Sequence, residues 1–227
     1  MENIEKNIKE IKLFLNKKTK LIAVSKTYPI ENILTAYNAG QRDFGENRVQ
    51  ELCEKYEQLK NLDINWHLIG HLQINKIKYI INFIDYIHSV DSLKLLSEIN
   101  KQAEKWNRKV KCLLEFYIAK EETKFGLNFE EAIELLESEE YKKFQNIEIC
   151  GVMGMASFTD DYNLIKTEFE NLKNIFENLK NKYFLNCNNF SEISMGMSND
   201  WKLAIEIGST MIRVGTQVFG KRTLNNK

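Results

Sequence analysis

Eight short runs of apolar, often β-branched residues punctuate this 227-residue chain, and longer stretches with helical periodicity lie between them. No other feature limits the fold as much, because strands alternating with helices imply right-handed βαβ units and a parallel sheet. The predicted strands cover residues 21–24, 43–44, 64–69, 84–88, 110–118, 147–153, 193–195 and 211–214. The predicted helices cover 30–39, 49–59, 74–81, 93–106, 129–136, 162–179 and 200–205. The clearest of them repeats Tyr162, Ile165, Phe169, Leu172, Phe176 and Leu179 at helical intervals. An N-terminal stripe of Ile4, Ile8, Ile11 and Leu15, with lysines and glutamates between, predicts an amphipathic helix rather than a signal peptide. Eight units leave about 28 residues each, which is tight but within the range of a (β/α)8 TIM barrel. Barrels of this length occur as one domain, so residues 1–227 are expected to form a single barrel domain. An open doubly wound sheet is the rival, against which no GxGxxG follows the first strand.

Charge and cysteine usage then exclude whole classes of function. Thirty-two basic and 32 acidic residues give zero formal net charge, which argues against a nucleic-acid binder acting through bulk charge. The most apolar stretch, 77–87, is broken by Lys78, Asn82 and Asp85, far short of the roughly 20 residues of a membrane span. Cys53, Cys112, Cys150 and Cys187 are widely spaced and form no CxxC pair. No zinc or disulfide framework is expected, and a reducing cytoplasm is the expected location. His67 and His71 are four apart but separated by Gly70 in a strand-to-loop segment with no third ligand, so no metal site is expected there.

A barrel of this kind places its chemistry at the C-terminal ends of the strands. Those ends carry SKTYP, FGEN, HLIGHLQ, HSVDS, KEETKFG, GVMGMAS, MGMSND and RVGT. Barrels often bind phosphate with the loops after strands seven and eight. There MGMSND supplies Gly196 and Ser198, and RVGT supplies Gly215 and Thr216. Read one at a time, these residues serve equally as helix caps and turns. Lys26 reads either as a solvated lysine opening a loop or as a Schiff-base lysine whose amine is freed by burial. Arg213 has only donors and stays protonated, which suits an ion pair inside the barrel or a charged ligand. Phosphate donors, a lysine and an arginine at one mouth together suggest a phosphorylated carbonyl compound.

Taken together, AVSKTYP, FGENRVQE, WHLIGHLQINK, HSVD, KEETKFG, GVMGMA, SMGMSNDWKLAI and GSTMIRVGTQVFG resemble the pyridoxal phosphate homeostasis proteins, from about Leu21 to Gly220. That resemblance implies a single-domain barrel similar to the barrel domain of alanine racemase, with pyridoxal 5′-phosphate (PLP) as cofactor. By position it implies that Lys26 forms the internal aldimine, that Ser198, Gly215 and Thr216 cradle the phosphate, and that Arg213 faces the pyridine nitrogen. Asn47 is implied to line the pocket, with His67 and Met195 as neighbours, and Lys124 to handle a second or departing cofactor outside it. The chain departs from the family at Glu115, Phe116 and Tyr117, where a QVN-like stretch is common, and at Tyr28, where some members carry another lysine.

An arginine at the pyridine nitrogen keeps that nitrogen unprotonated and weakens the ring as an electron sink. The expected function is therefore binding and buffering of PLP in the cytoplasm by a monomer, with transfer to PLP-dependent apo-enzymes, no catalytic residue and negligible turnover. An amino-acid racemase of low activity is the second expectation. A Schiff-base aldolase acting on a sugar phosphate is the third, from the residues alone.

Overall fold

In the computed structural model, which describes residues 3–119 and 125–221, eight parallel strands close into one barrel in chain order. They are β1 (Lys20–Val24), β2 (Asp43–Glu46), β3 (Asn65–Leu68), β4 (Tyr86–Val90), β5 (Val110–Phe116), β6 (Ile147–Gly154), β7 (Glu192–Ser194) and β8 (Met211–Val214). β8 closes the ring on β1 with Ile22 opposite Arg213. The helices are α1 (Ile4–Phe14), α2 (Ile30–Asn38), α3 (Val49–Leu59), α4 (Leu93–Lys105), α5 (Phe129–Glu137), α6 (Tyr162–Tyr183), α7 (Trp201–Ile207) and α8 (Thr216–Phe219).

The side-chain period of two along each strand sorts residues between two cores. Leu21 and Ala23 point outward into the layer shared with the helices, while Ile22 points inward beside Tyr86, Leu113, Cys150, Met153 and Met211. The outer layer is the larger. α6 contributes Ile165, Phe169, Leu172, Phe176 and Leu179 to it, as its stripe predicts, and Asp161 caps its first turn through Asn163 and Leu164. Each such buried aliphatic or aromatic side chain is worth about 1.5–3 kcal/mol, so this stripe pins α6 against the barrel. Ile4, Ile8 and Ile11 bury α1 against α2 and α8.

Of the elements that differ from the expectation, three have a cause in their hydrogen bonds. Residues 74–81 form a 3-10 helix, Ile74–Tyr79, rather than an α-helix. Bonds from Lys76 N to Gln73 O and from Ile80 N to Ile77 O tighten it to three residues per turn, which carries Ile77 and Ile80 into the core together. β4 begins at Tyr86 rather than residue 84, because Ile84 N donates to Ile80 O and Ile84 ends that turn instead. β5 ends at Phe116 rather than 118, where Tyr117 N leaves the sheet to bond Leu127 O.

Candidate functional site

The ends of β1, β2, β6, β7 and β8 enclose a cavity of about 670 Å³ at the C-terminal mouth of the barrel. Lys26, Asn47, Ser198, Arg213, Gly215 and Thr216 all line it, from four separate strand ends. Six of the residues singled out in the sequence thus meet at one place.

The first wall is the turn after β1. Ser25 is fully buried, Lys26 is half-buried at the cavity, and Thr27 takes a left-handed φ of 68° that a β-branched residue rarely adopts. A buried ion-pair knot under the turn holds that conformation. Lys55 Nζ donates to Ser25 O at 2.7 Å, to Glu46 Oε1 at 2.8 Å and to Glu51 Oε1 at 2.7 Å. Ser25 Oγ donates to Glu46 Oε1 at 2.6 Å, and Thr27 N donates to Glu51 Oε1 at 2.5 Å. Burial pushes the Glu46 carboxyl up, and the Lys55 ammonium opposes this. Asn47 continues β2 into the wall. A Cβ on Gly70 would sit 2.5 Å from Asn47 O, so only glycine there lets the β3 loop close behind Asn47. Buried Asn47 Oδ1 has no hydrogen-bond partner among the described residues.

The adjoining wall joins the two loops after β7 and β8. Asp200 Oδ1 accepts from Met197 N at 2.5 Å, and Gly196 has a φ of +95° with Trp201 and Ala204 pressed against it. Gln217 ties the loops together: its Nε2 donates to Ser198 O at 2.6 Å, and its Oε1 accepts from Trp201 Nε1 at 2.7 Å. Among the described residues the backbone N–H groups of Ser198, Asn199, Gly215 and Thr216 donate to no protein acceptor. With the hydroxyls of Ser198 and Thr216 they form a concave set of unused donors, the arrangement that accepts an anion.

Arg213 forms the floor. It is 4% exposed, and Nη1 donates to Ser194 O at 2.7 Å and Ser194 Oγ at 2.6 Å, while Nη2 donates to Gly154 O at 3.0 Å. Burial pulls its pKa down to about 10, against the opposing charges of Asp200 and Glu115. It therefore remains a cation at neutral pH. Glu115, on β5, is buried with Oε2 unpartnered among the described residues, and burial together with the Asp91 charge pushes it up to about 7.

Two expected neighbours lie elsewhere. His67 is fully buried on the barrel axis, one layer below the cavity, bonded to His88 and Asp43. Its strand position places it level with Gly45 and Tyr86 rather than at the mouth. Met195 is fully buried in the outer layer, because it has the parity opposite to Ser194, whose side chain points inward. Lys124 lies outside the described residues. Tyr117 is 40% exposed rather than filling the cavity. Sequence reasoning missed Gln217, Glu46, Lys55, Ser194 and His88. Glu51 and Lys55, four apart on α3, were the available signal for the knot; Gln217 next to Thr216 in RVGTQ was the one for the loop tie.

Comparison with known proteins shows the family and the fold. The family profile "Alanine racemase, N-terminal domain" matches residues 1–223. A "Pyridoxal phosphate homeostasis protein" of Aquifex aeolicus is 40% identical over 203 residues, covering 89% of this chain and 87% of the relative. The structure of PipY of Synechococcus elongatus with PLP bound superposes with a TM-score of 0.87 at 36% identity, over 96% of this chain and 100% of that one. An alanine racemase of Clostridium difficile, 16% identical, shares the fold with a TM-score of 0.72, over 99% of this chain and 57% of that one.

Proposed function

Because this chain belongs to the pyridoxal phosphate homeostasis proteins within the alanine racemase N-terminal-domain family, we propose that it binds PLP in the mouth cavity and takes part in keeping the cofactor's intracellular level. The observation that carries the reading is that a set of unused donors, Lys26 and a buried cation, Arg213, line one cavity. The phosphate is held by the N–H groups of Ser198, Asn199, Gly215 and Thr216 and by the two hydroxyls. Lys26 Nζ would hold the aldehyde carbon through a C=N bond, its two amine protons leaving with the carbonyl oxygen as water. Asn47, with its buried oxygen unpartnered, faces the ring from the β2 side. Arg213 donates toward the pyridine nitrogen and keeps it unprotonated, since a second adjacent positive charge is disfavoured.

That arginine also supports binding without turnover. The bound cofactor supplies an electron sink for carbanion chemistry, and a guanidinium at the nitrogen weakens it. The protein acts as a carrier, releasing PLP when water or an incoming amine displaces Lys26, and PLP-dependent apo-enzymes are its recipients. We read it as a single-domain monomer, supported by a closed barrel that leaves no strand edge to pair with another chain. A cytoplasmic location is supported by four unbridged cysteines. No helix among the described residues is long and apolar enough to cross a membrane.

The test is a visible absorption spectrum of the purified protein with added PLP, before and after borohydride, followed by peptide mapping. A band that borohydride abolishes, with a pyridoxyl group fixed on Lys26, is the expected result. A protein that stays colourless, or is labelled elsewhere, overturns it. Loss of α-deuterium from amino acids at an enzyme-like rate would replace the carrier with a racemase.

A further inference from the structure

Below the cavity, a line of polar side chains runs down the barrel axis through an otherwise apolar interior. Arg213 Nη1 lies 2.6 Å from Ser194 Oγ, which lies 3.0 Å from His88 Nδ1. His88 Nε2 lies 2.9 Å from His67 Nδ1, and His67 Nε2 lies 3.2 Å from Asp43 Oδ1. Ser194, His88 and His67 are completely buried, and only Asp43, with 24% of its side chain exposed, reaches toward the N-terminal end of the barrel. The order of groups is that of an activated serine. A nucleophilic role is excluded, because the Ser194 hydroxyl has no exposed surface and already accepts from Arg213.

Proton counting gives this line a direction. A guanidinium has donors only, so Ser194 Oγ accepts at the top. The Ser194 hydroxyl proton then goes to His88 Nδ1, the ring nitrogen within reach. That leaves the His88 proton on Nε2, donated to His67 Nδ1. The His67 proton is on Nε2, donated to the Asp43 carboxylate, which also accepts from Asn65 Nδ2 at 3.1 Å. Every link is satisfied, and both rings are neutral. The opposite direction makes Ser194 accept from both Arg213 and His88, and its own proton then has no acceptor among the described residues.

Two further observations agree with this direction. Burial, with the charges of Arg213 and Lys20 adding to it, holds His88 well below the usual histidine range, so that ring does not take a second proton. Burial raises the Asp43 carboxyl, but the His67, Asn65 and Lys20 contacts outweigh it and bring the net value down, which keeps the far end anionic. The parallel ring of Tyr86, 4.9 Å from His67, holds that imidazole in plane.

We propose that Ser194, His88, His67 and Asp43 are positioning residues forming a one-directional hydrogen-bond relay that fixes Arg213 against the cofactor's ring nitrogen. The functional part of this rests on the PLP reading; the relay itself does not. It also gives His67 a role, through Arg213, that its distance from the cavity denies it directly.

The first arm of the test uses the ligand-free protein. Long-range 1H–15N NMR at neutral pH should show His67 and His88 both neutral with the proton on Nε2, the third histidine being assigned with His71→Gln. A proton on Nδ1 in either ring, or a charged ring, overturns the relay. The second arm binds PLP labelled with 15N in the ring. Ser194→Ala, which cuts the relay at Arg213, should shift the ring-nitrogen signal, and Ser194→Thr, which restores a hydroxyl, should return it toward the wild-type position. An unchanged signal in Ser194→Ala overturns the positioning role. Should the alanine variant not fold, the wild-type tautomers still decide the relay. Failure of the protein to bind PLP at all would sink the functional reading while leaving the first arm intact.

Discussion

The mouth of the barrel and the axis beneath it treat polar groups in opposite ways. Along the axis, Arg213, Ser194, His88, His67 and Asp43 join in an unbroken series of hydrogen bonds. At the mouth, four backbone N–H groups and Asn47 Oδ1 lack protein partners among the described residues. Unpartnered buried polar groups cost about 1–3 kcal/mol each, so a fold keeps them only where something else satisfies them. The axis is permanent structure; the mouth is completed by a ligand that comes and goes. Between the two lies the knot of Lys55, Glu46 and Glu51, which joins Lys55 Nζ to both carboxylates, leaves Glu46 Oε2 unpartnered among the described residues, and serves the mouth by holding the turn of Lys26.

The most complete way to break the mouth is Lys26→Ala. The variant should lose the borohydride-sensitive absorption band altogether, while thermal unfolding stays close to wild type because Lys26 is only half-buried. A wild-type-like band would move the covalent link to another residue. Breaking the knot should instead cost stability. Lys55→Met leaves the Glu46 carboxylate enclosed without its cation, and removing one partner of a buried pair costs about 3–5 kcal/mol. Urea unfolding at neutral pH measures it, and a loss below about 1 kcal/mol would match a surface ion pair instead.

Glu115 sharpens the contrast, as a buried titratable group near the C-terminal end of β5 that the axis does not satisfy. Its folded pKa, pushed up to about 7, lies above the unfolded value. A carboxyl raised in this way favours folding below the unfolded pKa, and that contribution is lost as pH rises through about 7. Glu115→Gln removes the titration. The stability of the variant relative to wild type should therefore rise between pH 4 and pH 8 by roughly 3 kcal/mol, taking about 1.4 kcal/mol per pKa unit. Denaturant curves at the two pH values give the difference, and a pH-independent difference would mean that Glu115 has the same pKa folded and unfolded.

The same contrast explains what the sequence reveals. The barrel is legible because its signals are local: an apolar run such as 21–24, a stripe such as that of α6, and polar residues at strand ends. Lys26, Asn47, Ser198, Arg213, Gly215 and Thr216 all stand at such ends, so the topology alone brings them to one mouth. The axis is not legible in this way. Asp43, His67, His88 and Ser194 come from four strands, and no local spacing links one to another. Whether such a residue points inward depends on a strand register that only the closed barrel sets. Met195 shows the same limit: one position from Ser194, it faces the helices rather than the cavity. The 3-10 helix at Ile74–Tyr79 was hidden because isoleucines three apart suit either helix type.

The smallest effect separates hydroxyls from backbone in the mouth. Ser198→Ala with Thr216→Ala removes two hydroxyl donors but leaves the four N–H groups, which belong to the main chain and survive any side-chain change. Hydrogen bonds to a charged group are worth about 1.5–3 kcal/mol each. Thr216 is exposed and Ser198 half-buried, so water replaces part of what they give. The expected loss in PLP affinity is therefore at least about tenfold rather than the full sum. Pyridoxal lacking the phosphate should bind wild type poorly and be little affected by the double change. Titration of both ligands against both proteins makes the comparison. Equal losses would mean that these hydroxyls do not read the phosphate, whereas loss confined to PLP locates the anion between the β7 and β8 loops. A double variant that still favours PLP over pyridoxal would then measure what the backbone donors contribute alone.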